Sequence, residues 1–141
     1  MSGERRVRFL PAPPNGLPGP VGCYGPSSSY VTAVWLPILG PSTFLAWRLL
    51  AGELHHYPGG VTLTLDRLAS DLGLGSPRGE QAAVVRTLRR LERFGITRAI
   101  TDDLVLVREE LPPATPAQLT RLDDAVRTRH DRLVGLQTRV S

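Results

Sequence analysis

Residues 80–94 read Glu80-Gln-Ala-Ala-Val-Val-Arg-Thr-Leu-Arg-Arg-Leu-Glu-Arg-Phe94 and run into Gly95. On an ideal helix each residue turns by about 100°. Val84, Leu88 and Leu91 then fall on one line, widened by Ala83, Val85 and Phe94, and this line is the expected core face. On the opposite side Arg86, Arg89, Arg90 and Arg93 share an arc of about 100° by the same geometry. No acid stands among them, since Glu92 lies nearer the apolar side. A solvated helix face ordinarily mixes signs, and pairing with Glu92 accounts for one or two of these arginines but not four. A single-sign stripe of this kind suits a phosphate surface.

Working outward, Gly95 is placed to end the helix, because glycine adopts the left-handed conformation that a C-cap needs. Ile96-Thr-Arg-Ala-Ile100 and Leu104-Val-Leu-Val107 are rich in β-branched and apolar residues and are separated by Thr101-Asp-Asp103, a hairpin signal. Upstream, Thr64-Leu-Asp-Arg-Leu-Ala-Ser-Asp-Leu72 places Leu65, Leu68, Ala69 and Leu72 on one face, with Thr64 as N-cap and Gly73 as stop. Ser42 is placed to cap a further helix from Thr43 to about Leu54, whose Phe44, Trp47, Leu50 and Ala51 follow helical spacing. Pro58-Gly-Gly60 breaks the chain, and Val61-Thr-Leu63 is placed to add a short third strand to the hairpin.

The order helix, turn, arginine helix, hairpin, together with Leu68-Ala-x-x-Leu-Gly-Leu74, Val84-x-Arg-x-Leu88 and Arg89-Arg-Leu-Glu-x-x-Gly-Ile96, resembles the bacterial winged helix-turn-helix transcription regulators. The resemblance covers residues from about 44 to 108. It implies a mainly α fold with a small β-hairpin (α+β), and sequence-specific binding of double-stranded DNA by the arginine-rich helix. Matched to the motif, Gln81, Ala82, Val85 and Arg86 take the groove-facing positions, with Arg86 suited to fork onto a guanine edge. Arg89 lies on the same arc, while Arg90 and Arg93, farther along, are expected to clamp phosphates. Arg78 in the turn and Arg98 at the start of the wing are further phosphate candidates. Two features depart from the family pattern. Leu72 and Val84 are twelve residues apart where seven is common, the extra length being Gly75-Ser-Pro-Arg-Gly79. The wing tip carries Asp102 and Asp103, where minor-groove wings usually carry cations.

The charge distribution agrees with this reading. All 17 basic residues are arginine, which first reflects codon bias, and the formal net charge is +4. Residues 76–98 hold six arginines against two acids, whereas residues 1–75 hold five against four and residues 99–141 six against seven. The excess therefore sits on the expected recognition element.

Residues 1–41 are an outlier in composition, with a proline- and glycine-rich run from Leu10 to Ser29 preceded by Arg5, Arg6 and Arg8. The favoured reading is a partly disordered leader; the alternative is an arm that follows the DNA backbone or packs across the domain. Tyr30-Val-Thr-Ala-Val-Trp-Leu-Pro-Ile-Leu39 reads as a strand or a short helix, with Pro37 against a central strand and Trp35 assigned to the core. At the other end, Thr115, Pro116 and Gln118 form a helix start of capping-box type. From there Leu119, Leu122, Val126, Arg129, Leu133, Leu136 and Val140 step by three and four, giving a C-terminal helix over 115–140 with a heptad seam. The seam either packs back onto the domain or pairs with a second copy. A homodimer is favoured, with Leu119, Leu122, Val126, Leu133 and Leu136 at its interface.

Enzymatic chemistry finds little support. Glu53 and His56 have a metal-site spacing that occurs once and not twice, His55-His56 lacks further ligands nearby, and His130 lies alone in a charged helix. Cys23, the one cysteine, has no evident base, and Leu72-Gly-Leu-Gly75 lacks the lysine of a phosphate cradle. No catalytic residue, metal or cofactor is expected. No apolar run approaches membrane-spanning length and no secretory apolar core is present, so no membrane partner and a cytoplasmic location are expected. The alternative function is that of a winged-helix adaptor that binds protein and not DNA.

Overall fold

A computed structural model describes residues 5–13, 17 and 22–140, the last five as backbone alone. The fold is α+β. In chain order come β1 (Arg6–Pro11), a π-helical turn (Val31–Trp35), α1 (Leu36–Leu39), α2 (Pro41–His56), β2 (Val61–Thr64), α3 (Leu65–Leu72), α4 (Ala83–Arg93), β3 (Thr97–Thr101), β4 (Leu104–Val107), α5 (Pro116–Leu119) and α6 (Asp124–Val140). The helices α2, α3 and α4 pack on one another beside a four-stranded sheet of order β2-β1-β4-β3.

The sheet corrects two expectations at once. Residues 6–11 belong to no disordered leader; they form a central strand, antiparallel to β2 and parallel to β4. The local reason is a period of two in Arg6-Val-Arg-Phe9: Val7 and Phe9 are buried while Arg6 and Arg8 are exposed. The prolines that follow begin only where the strand ends. Val61–Thr64 is a strand, as expected, but it pairs with β1 and not with the hairpin. Gly60, beside β1, has φ +111°, a backbone conformation that side-chain-bearing residues rarely adopt, and a Cβ there would also lie 3.1 Å from the Phe9 carbonyl oxygen. The rest of the 1–41 arm is partly drawn in as well. Leu17 is buried, Tyr24 and Leu111 exchange backbone hydrogen bonds (3.0 and 2.8 Å), and residues 1–4, 14–16 and 18–21 lie outside the described residues.

The helical core is close to its sequence pattern. Phe44, Trp47, Leu50 and Leu54 of α2 are buried against Leu65 and Leu68 of α3 and Val84 and Leu91 of α4. Thr64 Oγ1 accepts from Arg67 N at 3.0 Å and caps α3, which ends in left-handed Gly73. Gly95, φ +74°, turns the chain out of α4. Residues 30–39 are helical: the turn over Val31–Trp35 is wound to π, and Pro37, which has no N–H to give, follows it. The carbonyl of Ala33 accepts instead from Arg129 Nη2 of α6 at 3.4 Å.

The continuous helix expected over 115–140 is also corrected. Thr115 and Gln118 do form the capping box, but α5 ends at Leu119. Asp123 Oδ1 then caps a new helix by accepting from Val126 N at 3.0 Å. A change of direction at 120–123 breaks the heptad register. Val126 is buried, and Leu119 and Leu133 pack against the domain core; the side chains of Leu136 and Val140 lie outside the described residues. Val126 is thus covered within the chain, and Leu119 and Leu133 are covered in part.

The clasp that holds α6 is polar. Tyr30, stacked on Tyr24 at 4.1 Å, is 2% exposed, and its hydroxyl accepts from Ala114 N at 2.9 Å. A second hydrogen bond joins the hydroxyl to Nδ1 of His130, 2.6 Å away. Burial pushes the Tyr30 hydroxyl up to about 12. An unfolded tyrosine ionises near 10, so stability from this group is complete below about pH 10 and is lost as pH rises through about 12. Circular dichroism melts taken between these two values should show the Tm of the wild type falling with pH. The Tyr30→Phe variant should melt lower at neutral pH and show a shallower alkaline decline.

Candidate nucleic-acid interface

The arginine helix begins later than its sequence suggests. Residues 79–81 form a turn, Ala82 is the N-cap, and α4 starts at Ala83. Two residues expected to meet the groove are drawn inward: Ala82 and Val85 are half-buried and pack against the core. Gln81 and Arg78 are exposed in the connection before the helix.

The four arginines of the arc divide into three and one. Arg86, Arg89 and Arg93 are exposed on α4. Arg89 Nη1 reaches Glu80 O at 3.4 Å, a long bond that holds the side chain toward the helix start. Arg90 is turned the other way. Its Nε donates to Leu39 O at 3.1 Å, its Nη2 reaches Ile38 O at 3.5 Å, and its guanidinium lies 5.2 Å from the centroid of the Phe94 ring. It closes the carboxyl end of α1, a packing role beside the phosphate-clamp role expected of it. The missed signal lies in residues 30–39: once these are helical, their terminal carbonyls need donors, and Arg90 supplies them.

Arg98 is also not brought to the arc. Strand alternation sends Thr97 and Ala99 toward the cleft beside α4, where Glu92 Oε1 accepts from Ala99 N at 3.0 Å. Arg98, exposed and in register with Leu106, occupies the outer face of the sheet.

Two clefts flank α4. On one side, between α4 and the β3–β4 hairpin, lies a cleft of about 270 Å³ floored by Val7, Leu65, Val85 and Leu88 and edged by Arg5 and Arg89. On the other, between α1, α4 and the α5–α6 connection, a groove of about 550 Å³ is lined by Arg90, Arg93 and Arg121 with no acid. Arg121 and Arg5 were not among the expected site residues. Each is far in sequence from 80–94, and the turn at 120–123 and the strand at 6–11 bring them to its two sides.

Among the described residues no cluster of three or more histidine, cysteine, aspartate or glutamate side chains is placed to hold a metal ion, and no helix is long and apolar enough to cross a membrane. Comparison with protein-family models, curated proteins and solved structures finds no match.

Proposed function

We propose that this protein binds double-stranded DNA as a small transcription regulator of the cytoplasm, with α4 as its recognition helix in a winged helix-turn-helix. The observation that carries the proposal is the exposed set Arg86, Arg89 and Arg93 on one arc of α4, with no acid on that arc. The succession α2, β2, α3, α4, β3, β4 and the packing of the three helices support the winged-helix reading. In this reading Arg86 meets base edges, while Arg89, Arg93 and Arg121 meet phosphates on either side of the groove. A homodimer through the C-terminal helices stays part of the proposal, with Val126 buried and Leu119 and Leu133 partly covered within the chain.

The test is fluorescence anisotropy with a generic labelled duplex across a salt series. Affinity should fall steeply with salt, since each neutralised phosphate contributes roughly 0.9 to the slope of log K against log salt. Arg93→Ala should lower that slope by about one for all duplexes alike, and Arg86→Ala should in addition relax preference among sequences selected from a random pool. A purified, folded protein that binds no duplex at low salt overturns the proposal. The exposed Asp102-Asp103 tip then favours the second reading, a winged-helix adaptor for a protein partner.

A further inference from the structure

The hairpin tip, Asp102 and Asp103, is exposed and acidic, a poor approach to a polyanion. The amino end of β1 lies directly against it. Arg5 Nη2 donates to Asp102 O at 2.7 Å, and Arg8 N donates to Asp103 O at 2.7 Å. Leu65 N, the first residue of α3, donates to Arg5 O at 3.0 Å. Arg5 therefore bridges the hairpin tip and the start of α3, and its side chain edges the same cleft as Arg89 of α4. Arg6, the next residue, is exposed and by strand alternation turns to the outer face of the sheet, the face that carries Arg98.

We infer that Arg5 is a further phosphate-binding residue, doing at the amino end of β1 what the acidic hairpin tip does not. The inference rests on the reading of α4 as the helix that faces the duplex. A helix with its side chains is about 10 Å across and nearly fills a major groove about 12 Å wide, so whatever flanks it on the protein meets the phosphate walls. Arg93 and Arg121 supply cations on one flank. On the other flank the cation is Arg5, at the start of the first strand. A guanidinium carries five N–H donors, and the bond to Asp102 O engages one N–H of Arg5. Arg5 also offsets part of the charge of the two aspartates at the hairpin end.

The experiment compares wild type, Arg93→Ala, Arg5→Ala, Arg5→Lys and, as an outward-facing control, Arg6→Ala, all as the full chain, by anisotropy on the same labelled duplex over a salt series. Arg5→Ala is expected to lower the salt slope by about one and to weaken binding at low salt several-fold, equally for unrelated duplex sequences, while Arg6→Ala leaves the slope unchanged. Arg5→Lys should restore the slope. Thermal melts run alongside, because Arg5→Ala also removes the bond to Asp102 O. If Arg5→Ala binds with an unchanged slope, whether or not its Tm has fallen, the inference fails while α4 keeps its role, provided Arg93→Ala still weakens binding. If the wild type does not bind, the α4 reading fails and takes the inference with it.

Discussion

Replacing Trp47 by alanine is expected to lower stability by about 4 kcal/mol, within the range for deleting a buried tryptophan side chain. Trp47 sits at the centre of α2 with no exposed surface, and its ring meets Phe44 at 6.0 Å and 53°. Its indole Nε1 donates to Arg108 O at 2.7 Å. Arg108 in turn holds the end of α4, giving Nε to Gly95 O at 2.9 Å and its backbone N to Ile96 O at 2.9 Å. The substitution opens a cavity and also leaves a buried carbonyl without its donor, a loss of about 1–3 kcal/mol when no water replaces it. Against a typical total of roughly 5–15 kcal/mol, this is a large fraction. The measurement is urea denaturation followed by the fluorescence of Trp35, the other tryptophan. Trp47→Phe, which keeps most of the ring volume, should lose about 1–2 kcal/mol, the share of the hydrogen bond and a small cavity. Equal loss in the two variants would mean that packing volume is not what Trp47 contributes.

The second large effect concerns a residue that a reading by composition dismisses. Phe9→Ala is expected to lower stability by about 3–5 kcal/mol, because Phe9 is fully buried between Val61 of β2 and Val105 of β4. Arg6→Ala, on the solvent side of the same strand, should stay within about 0.5 kcal/mol. Chemical denaturation of both variants decides between a strand and a leader. A leader predicts two values near zero, and a central strand predicts one large and one small.

How much of this was legible in the sequence follows from how local each signal was. Thr64, Gly73, Gly95 and the Thr115/Gln118 box are caps, whose chemistry involves residues three or four apart, and each was found where expected. The hairpin turn at 102–103 was equally local. Reading β1 required weighing four alternating residues against the proline run that follows them, and its partners lie far along the chain. The C-terminal seam shows the converse failure. Spacing by three and four persists through Leu119, Leu122 and Val126, although a turn at 120–123 with its own cap at Asp123 resets the helix. At the candidate interface, the arc of Arg86, Arg89 and Arg93 was visible from helical geometry alone. The diversion of Arg90 to the carbonyls of Leu39 and Ile38 depends on a helix end supplied by another part of the chain.

The parallel pairing of β1 with β4 carries a consequence in time. Arg8 is aligned with Leu104, about two-thirds of the chain's length away, and in synthesis at 5–20 residues per second β4 appears on the order of ten seconds after β1. During that interval the α2–α4 cluster has local contacts enough to form, but β1 has only β2 for a neighbour and its other edge stays open. The sheet is therefore completed only by a long-range closure, a kind of contact that loop-closure entropy makes slow to form. A nascent chain halted before residue 104 presents Val7 and Phe9 on an unpaired strand edge, the kind of surface on which chaperones and aggregation compete.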